Sequence, residues 1–93
     1  MAKKLKQDIS IEANLKKFRI SIGANLKKFR QAAGMTQEEV AAKLQVQGLD
    51  IPQKIISEME LGKYNIRVSV LLALADLYYT PVQDFFEGLE RDE

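Results

Sequence analysis

The sequence predicts an all-α fold, and three observations carry that prediction. Apolar residues recur at helical spacing with almost no strand-like alternation. Glycines stand where those patterns stop, and capping residues stand where the next ones begin. Ninety-three residues with 46% apolar content supply one modest core, so a single domain is expected.

The chain opens on a lysine-rich stretch, Met1 to Gln7, followed by an internal repeat. Ile11-Glu-Ala-Asn-Leu-Lys-Lys-Phe-Arg recurs eleven residues later as Ile22-Gly-Ala-Asn-Leu-Lys-Lys-Phe-Arg. Eleven residues make almost a whole number of helical turns. If helix runs through both copies, Ile11, Leu15, Phe18, Ile22, Leu26 and Phe29 form one apolar stripe. Ser21 can cap a fresh helix and Gly23 weakens a continuous one, so the pattern allows one long helix or two. The first copy, helical over about residues 9–19, lies outside the compact domain. Its stripe either pairs with another subunit or is a duplication packed locally.

The domain proper begins with Ile22, Leu26, Phe29 and Ala33 on one helical face, stopped by Gly34. Thr36-Gln37-Glu38-Glu39 reads as a capping box that opens a second, short helix with Val40, Ala41 and Leu44 inward. Gln47 to Ile51 is a turn around Gly48, and Pro52 suits the first position of a third helix running to about Leu61. Ile56 and Met59 face inward there, with Gln53, Lys54, Ser57 and Glu58 outward, and Gly62 ends it. A fourth helix, about Ser69 to Tyr78, is apolar nearly all round and is expected at the core's centre. Thr80-Pro81-Val82-Gln83 predicts a Thr-capped fifth helix, with Phe85 and Phe86 closing the core. The expected organisation is a basic arm and extension helix at 1–20, a domain at 21–87 and an acidic tail at 88–93.

Composition narrows the function. There is no cysteine and no histidine, which removes disulfides, thiolate chemistry and the commonest general base and metal ligand. No nucleophile, base and metal constellation can be assembled, so an enzyme is not expected; nor is a cofactor or a small-molecule substrate. No apolar run approaches a membrane span, and no signal-type stretch follows the lysines, which predicts a cytoplasmic protein. Net charge is only +1, but it is unevenly placed. Residues 1–30 carry nine Lys/Arg against two acids, whereas the other 63 residues carry five against eleven. That asymmetry points to a polyanionic partner for the basic half.

Two short helices joined by a glycine turn, the second polar outside, make a helix-turn-helix pattern whose second helix fits the major groove. Here the chain resembles a known family. Ile22-Gly23 through Leu26-Lys27-Lys28-Phe29-Arg30, Gly34-Met35-Thr36-Gln37-Glu38-Glu39-Val40-Ala41 and Ile56-Ser57-Glu58-Met59-Glu60-Leu61-Gly62-Lys63 match phage repressor/Cro-like domains, the XRE family. Leu71-Leu72-Ala73-Leu74-Ala75 and Asp84-Phe85-Phe86 extend the match. The resemblance implies a five-helix lambda-repressor-like fold, here with an N-terminal helical extension. It also implies binding to operator-like double-stranded DNA as a homodimer, in a transcriptional regulator of repressor type from a prophage or mobile element.

The resemblance also assigns roles. Gln53, Lys54 and Ile55 match the base-reading positions, with Ser57 and Glu58 one turn further in. Gln37 corresponds to a phosphate-holding position, and Lys63, Tyr64, Asn65 and Arg67 lie in a phosphate-contacting loop. Arg30 and Glu60 match a structural ion pair that leaves Arg30 partly available to a phosphate. The chain departs from the family at Val46-Gln47-Gly48-Leu49-Asp50, an apparent insertion in the turn, and at Pro52, Ile55 and Glu58, which replace residues more usual there. Acidic Glu58 and the apolar stripe keep an alternative in view: an interaction module with the same fold that does not read DNA.

Overall fold

The computed structural model describes the backbone of residues 2–89 and the side chains of residues 14–89. The Lys3-Lys4-Lys6 side chains and the end of the acidic tail lie outside the described residues. The elements are α1 (Ala2–Ala32), α2 (Gln37–Val46), α3 (Gln53–Glu60), α4 (Val68–Leu77) and a 3-10 segment (Val82–Phe86), with no strand among the described residues.

The two copies of the repeat lie in one uninterrupted helix. At 1.5 Å per residue, the 31 residues of α1 span about 46 Å, which accounts for a molecule measuring 48 × 23 × 18 Å. Gly23 does not break it, and tertiary packing explains why a glycine stands there. A Cβ at Gly23 would lie 2.5 Å from the Met59 carbonyl oxygen and 2.6 Å from that of Glu60. The C-terminal end of α3 therefore crosses α1 with backbone nearly on backbone. Gly62 makes the reciprocal approach, since a Cβ there would lie 2.6 Å from Ile20 Cα. Gly62 also has φ +76°, with its N–H bonded to the Met59 carbonyl and that of Lys63 to the Glu58 carbonyl. That pairing ends α3 in a Schellman turn that a side chain at this position would strain.

The helix boundaries follow local chemistry. Thr36 Oγ1 accepts from the Glu39 amide while Glu39 Oε1 accepts from the Thr36 amide, both at 3.1 Å, so the capping box forms. Pro52 is the N-cap of α3 and not its first turn. The inserted residues form a compact turn in which the Leu49 amide bonds back to the Leu44 carbonyl at 2.9 Å.

Leu26, Val40, Leu44, Ile56, Met59, Val70, Leu71, Leu74, Ala75, Tyr78 and Phe85 make the core. The Phe85 ring packs against Phe29 and Tyr78 at centroid distances of 5.8 and 6.3 Å. Burial, and secondarily the nearby Glu60 charge, raises the Tyr78 hydroxyl above its ordinary pKa.

Three sequence expectations need correction. The fifth helix is the 3-10 segment, and Thr80 does not cap it; its hydroxyl donates to the Tyr78 carbonyl at 3.0 Å. Asn25 Nδ2 donates to the carbonyls of Phe85 and Glu87, both at 2.9 Å. Those bonds satisfy carbonyls that a longer helix would have used. Nor is α4 buried all round, because Val68 and Leu72 stay 69% and 52% exposed. One helix face suffices to meet a core this small. Phe86, too, is partly exposed beside the fully buried Phe85.

Candidate nucleic-acid interface

The eight-residue helix α3 presents two sides of different chemistry. Ile56, Met59 and Glu60 are buried against the domain, while Gln53 and Lys54 are exposed. Ser57 and Glu58 are half-buried, one turn further along the same side. Ile55 differs from the other predicted base-reading residues, since it is half-buried and packs against the core. Only part of its side chain faces outward.

Glu60 anchors this helix to the scaffold. Arg30 Nε donates to Glu60 Oε2 at 2.6 Å and Arg30 Nη2 to Oε1 at 3.0 Å, a bidentate pair with side chains 10% and 5% exposed. Arg30 Nη1 donates to the Met35 carbonyl at 2.8 Å, and Gln37 Nε2 donates to Glu60 Oε1 at 3.0 Å. One network thus joins α1, the loop after it, α2 and α3. The Glu60 hydrogen bond is the largest cause of a raised Arg30 pKa; burial opposes it without reversing it. Sequence reading left Arg30 partly available to a phosphate. The structure instead engages all three guanidinium nitrogens and buries the group.

Gln37 is half-buried at the start of α2 with its amide nitrogen turned to Glu60, so its carbonyl and second N–H are what remain for an outside partner. Lys63, Tyr64, Asn65 and Arg67 are all exposed in the loop from α3 to α4. Asn65 Oδ1 accepts from Arg19 Nη1 at 3.2 Å, which ties this loop to α1. Sequence reasoning gave Arg19 no role. A signal was present, because Arg19 is the repeat counterpart of Arg30 and lies eleven residues earlier on nearly the same helical face. Asn25, which holds the 3-10 segment, carried no comparable local signal.

The predicted base-reading and phosphate-contacting positions thus fall on the N-terminus of α2, the outer side of α3 and the following loop, with Ile55 and Gln37 partly turned inward. Among the described residues no cluster of three or more acidic, His or Cys side chains is placed to hold a metal ion. Nor is any helix there long and apolar enough to cross a membrane.

The helix-turn-helix family model matches residues 26–85, from the end of α1 through α2, the turn, α3 and α4 to all but the last residue of the 3-10 segment. The chain belongs to the helix-turn-helix family of XRE type. Among solved structures, this helix-turn-helix chain is similar to the crystal structure of the DNA-binding domain of BldD. The match has a TM-score of 0.64 and 27% sequence identity over 76% of this chain and 96% of that one. No curated protein matches in sequence.

Proposed function

We propose that this protein is a sequence-specific double-stranded DNA-binding transcriptional regulator, of repressor type from a prophage or mobile element, that acts as a cytoplasmic homodimer. The observation that carries this reading is the exposure of Gln53 and Lys54 on a short helix whose opposite side is locked by the buried Arg30–Glu60 pair. A rigid polar rod of that length fits the major groove. Membership in the family and likeness to a DNA-binding domain support it. The protein is then a binding module and not an enzyme.

In this reading Gln53 pairs with adenine and Lys54 donates to guanine, while the outward part of Ile55 meets a thymine methyl. Ser57 and Glu58 read one turn further, Glu58 accepting from cytosine or excluding sites that bring a phosphate close. Gln37, Lys63, Tyr64, Asn65 and Arg67 hold the backbone. Residues 21–87 form the reading domain, 1–20 a basic arm and extension helix, and 88–93 an acidic tail.

The test is a binding titration with duplex DNA at two salt concentrations. Binding should weaken steeply with salt, by a log–log slope of about 0.9 for each phosphate neutralised. Gln53→Ala with Lys54→Ala should abolish sequence preference and spare the weak salt-sensitive background. Absence of any duplex binding at low salt would favour a second reading, a protein-interaction module. The carboxylate of Glu58 on the outer side of α3 is the observation behind that alternative.

A further inference from the structure

Arg19 holds the place in the first copy of the repeat that Arg30 holds in the second, yet the fold treats the two differently. Arg30 is closed off by the Glu60 carboxylate and the Met35 carbonyl. Arg19 is half-buried and pairs with no carboxylate among the described residues. Its hydrogen bond, at 3.2 Å, runs from Nη1 to the neutral amide oxygen of Asn65, and its Nε is buried without an acceptor there. The charge of Arg19 is therefore uncancelled and its donors are only partly used, a costly condition for a half-buried guanidinium. We propose that Arg19 and Asn65 together bind one phosphate of the DNA backbone, so that α1 takes part in holding the duplex. This rests on the reading of the protein as a DNA-binding module. It adds to that reading a residue outside the segment, 26–85, that the family model matches.

The fold sets Arg19 against the loop assigned to phosphate. A Cβ at Gly62 would lie 2.6 Å from Ile20 Cα, so α1 touches the chain where that loop begins. The Arg19 side chain lines a cavity of about 290 Å³ with Phe18, Ile22, Tyr64, Asn65 and Ile66. Its apolar stem is held there, while the bond to Asn65 lies at the exposed surface.

A guanidinium only donates, so the Asn65 atom facing Arg19 is Oδ1, and Nδ2 with its two N–H groups is left for a partner. The pair thus offers N–H donors from two side chains and one positive charge. A phosphodiester carries two unbridged acceptor oxygens and one negative charge, which matches both. Charge along the chain agrees. No acid occurs between Glu12 and Glu38 or between Glu60 and Asp76, so both segments that form the pair are free of acids. Lys63 and Arg67, two residues to either side of Asn65, are exposed.

Fluorescence anisotropy of the full chain with a mixed-sequence duplex, repeated over a range of salt, tests the proposal. Arg19→Gln keeps a donor for Asn65 but removes the charge. It should weaken binding by about 10-fold at low salt and lower the log–log salt slope by about 0.9, whatever the duplex sequence. Arg19→Lys keeps the charge and should keep the slope. Asn65→Ala should weaken binding by about 3-fold at unchanged slope, because it removes a neutral donor. Asn65→Asp gives Arg19 a carboxylate within the protein itself and should reproduce the lost slope. Circular dichroism should be the same for all four variants. A wild type that binds no duplex at low salt removes the functional reading and this proposal with it. Wild-type binding with no change in affinity or slope in Arg19→Gln overturns this proposal alone, and so does a loss of affinity at unchanged slope, the mark of a merely structural tie.

Discussion

Glu60 accepts from Arg30 and from Gln37 while almost wholly buried, so its loss strands a guanidinium inside the domain. Glu60→Ala should cost about 3–5 kcal/mol in denaturant unfolding, and replacing both Arg30 and Glu60 by apolar residues should recover most of that. Gly23 is the reverse case, where a local rule misleads. Alanine is the better helix former by about 1 kcal/mol, yet its methyl would press on the α3 carbonyls. Gly23→Ala should therefore destabilise by about 1–3 kcal/mol, read as a lower urea midpoint. Tyr79 follows α4 with φ +53° and is the non-glycine residue holding a left-handed conformation among the described residues. Its ring is almost fully exposed, so Tyr79→Gly relieves strain without opening the core and should stabilise by about 1 kcal/mol. Tyr78 supplies a pH dependence. Its folded pKa is raised above the ordinary 10.0, so the stability it contributes is whole below pH 10.0 and declines as pH climbs toward the folded value. Alkaline unfolding curves of Tyr78→Phe should lose that part of the decline.

Elements were legible where their signals are local and obscure where they depend on what packs against them. Thr36 to Glu39 opens α2 as a capping box, and Gly34, Gly48 and Gly62 hold positive φ where the apolar patterns stop. Ile56 and Met59 face the core, as their spacing in α3 requires. The unbroken course of α1 through Gly23 was not legible, because the reason for that glycine lies in the carbonyls of α3, more than thirty residues away. The collapse of the fifth helix into a 3-10 segment depends likewise on the Asn25 amide reaching across from α1. The apolar circumference of α4 gave no indication that Val68 and Leu72 remain outside. At the interface, the outward placement of Gln53 and Lys54 could be read from periodicity, as could the Arg30–Glu60 pairing from the family pattern. The half-burial of Ile55 and the turning of Gln37 toward Glu60 could not, since both are set by the packing of α3 on its neighbours.

At the scale of the molecule, the positive charge is concentrated in the first thirty residues, while the proposed reading helix lies in the acidic remainder. The long first helix anchors the reading domain through Arg30. Two reading helices in the proposed homodimer would address half-sites on one face of a duplex, so dissociation of the dimer should cost affinity for paired sites far more than for a single one. The most direct test of the central claim, that α3 reads bases, is selection from a random duplex library with wild type and with Gln53→Ala and Lys54→Ala variants. The account predicts that wild type enriches a motif with half-sites about one helical turn apart, and that each substitution relaxes particular base positions within it. Enrichment of no motif by wild type, or of an identical motif by both variants, would contradict it.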